Sequence, residues 1–138
     1  MANPLKTIAS TASLTLDLRH ADAIVKMDNA AGWTVTLPPA VGSGAVFKVY
    51  VGTSITSNAG TIAANGTDVL NGMVVVATDT AGETMLTSAT SDKLAMNGGT
   101  TGGVAGSFVE LSDVASGVWS VGGFLRSTGA EGTPFSAT

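Results

Sequence analysis

The chain has 138 residues, a net charge of −4 and no cysteine, which excludes disulfides, iron–sulfur clusters and thiol catalysis. Its six cationic residues, Lys6, Arg19, Lys26, Lys48, Lys93 and Arg126, are scattered, against the clustering that nucleic-acid binding requires. Hydrophobic residues reach 44%, yet no segment approaches the roughly 20 apolar residues of a membrane span, and charged residues are only 12%. A chain of this size can bury a core without staples. With so few charges, its surface is either neutral Thr and Ser or is covered in part by a partner.

Met1 to Ala12 has no period. Pro4 breaks any regular element and Leu5 and Ile8 are isolated apolar residues, so an extended arm is expected. The segment also lacks the charged start and apolar run of a signal peptide. From Ser13 the pattern changes. Leu14, Leu16 and Leu18 alternate with Thr15 and Asp17, the two-residue period of a half-buried strand. Ala23 to Met27 is a second short piece, and Asp28 to Gly32 is a turn. Trp33, Val35 and Leu37 alternate with threonines until Pro38-Pro39, which offer a ladder no donor.

Gly42-Ser43-Gly44 opens a strand over Ala45 to Val51, with Phe47, Val49 and Val51 on one face. Ile55, Ile62 and Val69-Leu70 mark further short strands, separated by Ser57-Asn58-Ala59-Gly60 and Ala64-Asn65-Gly66-Thr67. Met73 to Ala77 is a continuous apolar run, expected to be buried on both faces. Glu83 to Thr87 and Lys93 to Met96 follow, then the Gly-rich loop Asn97 to Gly103. Ser107 to Leu111 and Val118 to Leu125 form a hairpin about the polar loop Ser112 to Gly117. Ser127 to Thr138 is Gly- and Thr-rich and ends near Pro134-Phe135.

The expected organisation is an N-terminal arm over 1–12, an all-β domain over 13–126 and a C-terminal tail over 127–138. Short strands at even spacing with turn signals suggest a sandwich or barrel. The inward set comprises Leu14, Leu16, Val35, Leu37, Phe47, Val49, Val75, Val109, Trp119 and Val121, with Trp33, Phe108 and Phe124 also in core or rim packing. Both arms are expected to be contact segments, with Leu5, Ile8, Pro134 and Phe135 as the residues meeting a shell or another copy.

Chemistry is sparse. His20 is the single histidine, and no nucleophile elbow accompanies it. A zinc site would have to be built from carboxylates spread along the chain. Asp79 and Glu83 flank a short turn but lack the alternating acids of a calcium loop. The glycines from Gly98 to Gly106 lack the Lys-Ser/Thr of a phosphate loop. No catalytic residue, metal or cofactor is expected, so the reading is of a non-enzyme.

Trp33-Thr34-Val35-Thr36-Leu37-Pro38-Pro39-Ala40, then Gly42-Ser43-Gly44-Ala45-Val46-Phe47, begin an ordered series of short motifs. Ala64 to Asp68, Gly106 to Leu111 and Gly117 to Val121 continue it. In that order they resemble the capsid decoration, or cement, proteins of tailed bacteriophages, over roughly residues 33 to 125. Similar pieces occur in phage fibre and tail modules. The resemblance implies a jelly-roll-like β-sandwich on the outside of an icosahedral virion capsid, made in the cytoplasm of a bacterial host. It implies the major capsid protein and further copies of itself, as dimer or trimer, as partners. It brings no catalytic residues. The alternative is a receptor- or carbohydrate-binding module of a fibre or tail, and a weaker third class is a small β-barrel hydrolase.

Overall fold

A computed structural model describes residues 7–10 and 12–138. Within these residues twelve strands run in chain order: β1 (Thr7–Ser10), β2 (Leu14–Thr15), β3 (Ile24–Met27), β4 (Thr34–Thr36), β5 (Val46–Val51), β6 (Gly60–Ala63), β7 (Val69–Ala77), β8 (Gly82–Leu86), β9 (Lys93–Met96), β10 (Phe108–Ala115), β11 (Val118–Arg126) and β12 (Phe135–Ser136). Among the described residues the helical content is one 3-10 turn, Leu18–His20. The fold is all-β, as the alternating pattern predicts.

The strands form two mixed sheets, one of seven in the order β1-β3-β5-β10-β11-β7-β8 and one of five in the order β12-β9-β6-β4-β2. The first half of the chain shuttles between them. Odd-numbered strands join the large sheet and even-numbered strands the small one. Each therefore lies parallel to the strand two before it: β1 with β3, β3 with β5, β2 with β4, and β4 with β6. This is a short two-sheet coil, in which successive turns pair edge to edge and the apolar faces of the two sheets cover each other. The second half closes it. The antiparallel hairpin β10–β11 inserts between β5 and β7, with β11 parallel to β7, and β9 and β12 extend the small sheet antiparallel to β6 and to each other. The parallel pairings depart from the antiparallel strands of a jelly roll.

The inward faces carry the apolar period. Leu14, Val35, Ile62, Leu94 and Phe135 align across the small sheet. Val25, Val49, Val109, Gly123 and Val74 align across the large one. Both rows belong to one core, at whose centre Phe47 and Trp119 meet edge to face at 5.6 Å. Where two backbones come closest, only glycine fits: a Cβ on Gly123 would overlap the Phe108 carbonyl oxygen.

Several expectations are corrected. Met73 to Ala77 is buried on one face only: Val74 and Val76 point inward, Met73 is exposed, and Val75 is half-buried on the outer side. The run covers the core with alternate residues, since nothing described lies over the large sheet's outer face. Leu18 is 57% exposed, because Asp17 caps the 3-10 turn and stops the strand short of it. Ser112 to Gly117 is no loop: β10 runs on to Ala115, and a bulge between Asp113 and Ala115 tightens the turn into β11.

The C-terminal segment is the largest revision. Pro134 and Phe135 were expected to be exposed contact residues of an arm, yet both are buried in their own chain. The backbone of β12 pairs with β9, which turns Phe135 into the core. A two-residue strand is too short to show a period, so its burial has no signature in the sequence. At the other end, Ile8 lies half-buried in β1, the edge strand of the large sheet, while Leu5 lies outside the described residues.

Candidate contact surface

The two sheets differ on their outer faces. Across the small sheet Thr15, Thr36, Ala63, Lys93 and Ser136 align, with Thr34, Thr61 and Ala95 beside them. Apart from Lys93 these side chains are small and mostly hydroxylic, and need no cover.

The large sheet's outer face is apolar. Strand register places Lys26, Tyr50, Phe108, Phe124, Val75 and Thr84 in one row over six strands, apolar from Tyr50 to Val75. The neighbouring row is Ile24, Lys48, Glu110, Gly122, Met73 and Leu86. Phe124 is 68% exposed, Leu86 65% and Met73 53%. Phe108 and Phe124, expected in core or rim packing, thus both belong to the outer surface, Phe108 half-buried beside its partner. Alternation from Val118 is interrupted by Gly122-Gly123, but the parity it sets still places Phe124 opposite in sense to Val121 and Leu125, which was the available signal.

Gly122 leaves a gap in this face. With no side chain between Glu110 and Met73, a shallow slot of about 290 Å³ opens. Phe108 and Phe124 border one end, Ser112 and Ser120 the other, and Glu110 lines it. Among the described residues four charges lie on this face: Lys48 and Glu110 opposite each other on β5 and β10, Lys26 beside Tyr50 and paired with Asp28 at 3.5 Å, and Arg126 opposite Ala77.

The crossover from β4 to β5 is held by two aspartates that pattern reasoning missed. Asp68 accepts the Ala40 N–H at 2.7 Å. Asp113, 1% exposed, accepts the N–H groups of Val41, Gly42 and Ser43 and the Ser43 hydroxyl, the last at 2.7 Å. Burial pushes the Asp113 carboxyl up, but the Ser43 hydroxyl and the Ser43, Gly42 and Val41 amides together hold it below the usual carboxylate range. Asp68 thus joins the Ala64 to Asp68 motif to Ala40, while Asp113, between the Gly106 to Leu111 and Gly117 to Val121 motifs, joins β10 to Val41, Gly42 and Ser43.

The remaining candidates are local structure. His20 closes the 3-10 turn, its Nδ1 accepting the Asp17 N–H at 3.0 Å. Asp17 is held down to about 2 by hydrogen bonds from the Arg19 side chain and backbone on an exposed turn. Asp79 and Glu83 occupy the β7–β8 hairpin, and among the described residues no three His, Asp or Glu side chains gather as metal ligands would. The Gly-rich loop packs backbone on backbone: Gly98 donates to the Gly102 carbonyl, and its α-carbon lies against Ile55. Asn65-Gly66-Thr67 is a turn closed by the Asp68 N–H to the Asn65 carbonyl. Comparison with protein-family models, curated proteins and solved structures gives no match.

Proposed function

We propose that the chain is a structural virion protein that decorates the outside of an icosahedral phage capsid, bridging neighbouring capsomers through the outer face of its large sheet. The observation that carries this reading is the row Tyr50, Phe108, Phe124 and Val75, flanked by Met73 and Leu86. A sheet face so apolar is costly to leave in water and suits a flat partner surface. The opposite, threonine-rich face suits solvent. The ordered resemblance to cement proteins points to the major capsid protein and further copies of the chain as partners. Many symmetric copies turn weak single contacts into firm retention.

The experiment is co-sedimentation of the purified chain with shells of a phage that encodes it, followed by heating or osmotic shock. The chain is expected to bind in many copies and to raise shell survival, and a Tyr50→Thr/Phe124→Thr variant is expected to bind at least tenfold more weakly. Equal survival with and without the chain would remove the decoration reading.

A second reading is a receptor- or carbohydrate-binding module of a fibre or tail. The slot over Gly122 favours it, since two phenyl rings beside Ser112, Ser120 and Glu110 combine a stacking surface with polar groups. Binding to host-surface glycans without binding to shells would select it.

A further inference from the structure

We infer that the free edge of β8 is a self-complementary interface, through which two copies of this chain join their large sheets into one. The inference stands apart from what the outer face binds, and would hold for a decoration protein or a fibre module alike.

The edge is defined by hydrogen-bond parity. In an antiparallel pair, residues that exchange both backbone bonds alternate with residues whose N–H and C=O point away. At the two ends of the β7–β8 ladder, Thr78 donates to the Ala81 carbonyl and Thr87 donates to the Gly72 carbonyl. With Val76 opposite Glu83 and Val74 opposite Met85, residues 81, 83, 85 and 87 therefore spend their backbone groups on β7. Gly82, Thr84 and Leu86 point theirs outward. No described strand pairs with them, because β8 ends the sheet.

Those three residues are symmetric about Thr84. A second copy approaching antiparallel across a twofold axis sets Thr84 against Thr84 of the partner subunit, and Gly82 against Leu86 on either side. Every outward N–H and C=O then finds its complement, and the contact is isologous and closed. The side chains agree. On the outer face each Leu86 meets a glycine, which leaves it room, and the row Phe124, Val75 and Thr84 runs on into its copy through the paired threonines. On the inner face Glu83 lies opposite Met85, so the sole charge of the strand never directly faces its own copy. Of the usual guards of an edge, proline, lysine and a bulge are missing from Gly82 to Leu86; Glu83 is the one inward charge, and in this register it meets Met85. The side-chain fit, Leu86 over Gly82 and Glu83 beside Met85, is what makes a second copy the occupant of this edge.

The test is amide hydrogen exchange and sedimentation on the full chain over a wide concentration range. The expected result is a concentration-dependent dimer, in which the amides of Gly82, Thr84 and Leu86 slow at least tenfold while those of Glu83 and Met85 are protected throughout. Thr84→Pro removes an N–H that the β7 ladder does not use, and is expected to give a folded monomer. Should that variant fold poorly, Thr84→Lys places two ammonium groups at the axis, and dimerisation should be lost at low salt and recovered at high salt. Equal exchange of the three amides at all concentrations would overturn the proposal. So would a dimer indifferent to both substitutions, or protection that appears only with an unrelated strand donor.

Discussion

Phe135 lies directly across from Leu94 in the antiparallel pairing of β12 with β9, and is only 7% exposed. The last strand of the chain thus completes the inward row that begins at Leu14. Its backbone is fixed to either end of Phe135, by the Ala95 N–H donating to the Pro134 carbonyl and the Asp92 N–H donating to the Ser136 carbonyl. Removing Ser127 to Thr138 is therefore expected to destabilise the whole fold. Phe135→Ala should cost about 3 kcal/mol, the lower end of the range for a buried phenyl because the site is at a sheet edge. Denaturant unfolding of the two variants measures this, and a truncated chain as stable as the full one would contradict the packing.

Asp113 gives a mutational prediction. Asp113→Ala withdraws the acceptor of three amides and a hydroxyl, and should cost about 2–3 kcal/mol. Asp113→Asn keeps the shape but turns a donor toward these donors, so it should cost less than the alanine change yet still be measurable. Thermal unfolding at neutral pH checks the order.

The same residue gives a pH dependence. Its folded-state pKa is depressed, so the unfolded chain binds the proton more readily. The contribution is present in full above the unfolded value near 3.8, and is lost as pH falls through that value toward the folded one. Unfolding midpoints measured from pH 6 down to about pH 2 should fall more steeply for the native chain than for Asp113→Asn. Parallel curves would place the acid sensitivity elsewhere.

Two glycines separate conformational need from steric need. Gly66 has a φ of +54° with open space where a Cβ would stand, so Gly66→Ala carries only the left-handed backbone cost of about 1 kcal/mol. Gly98 has a φ of +82°, and a Cβ there would overlap the Ile55 carbonyl oxygen, so Gly98→Ala should cost about 3 kcal/mol. Unfolding of both variants side by side checks the contrast.

Phe124 is large but exposed, and Phe124→Thr replaces it with another good strand former. Stability should change by no more than about 0.5 kcal/mol, while binding of a hydrophobic dye to the native chain should drop. A large loss of stability would mean that the ring belongs to the core.

Much of the core was legible in the sequence, because strand alternation is a local property. Trp33 to Leu37, Ala45 to Val51 and Val118 to Val121 each show which side chains share a face, and those faces are the buried ones. The absence of a long helix followed from the same pattern and from the many β-branched residues. What alternation cannot carry is the identity of a strand's neighbour. Whether Val25 would lie beside Val49 in a parallel coil, or Val109 beside Val49 in an antiparallel ladder, depends on contacts between segments far apart in the chain. Tertiary structure alone therefore decided that the first half coils between two sheets, that Asp113 reaches back to Val41, and that two-residue β12 is core and not tail. It also decided which apolar residues remain outside. Parity sets Phe124 apart from Val121 and Leu125, but in the apolar run Met73 to Ala77 only the cover on one side of the large sheet separates Val74 from Met73.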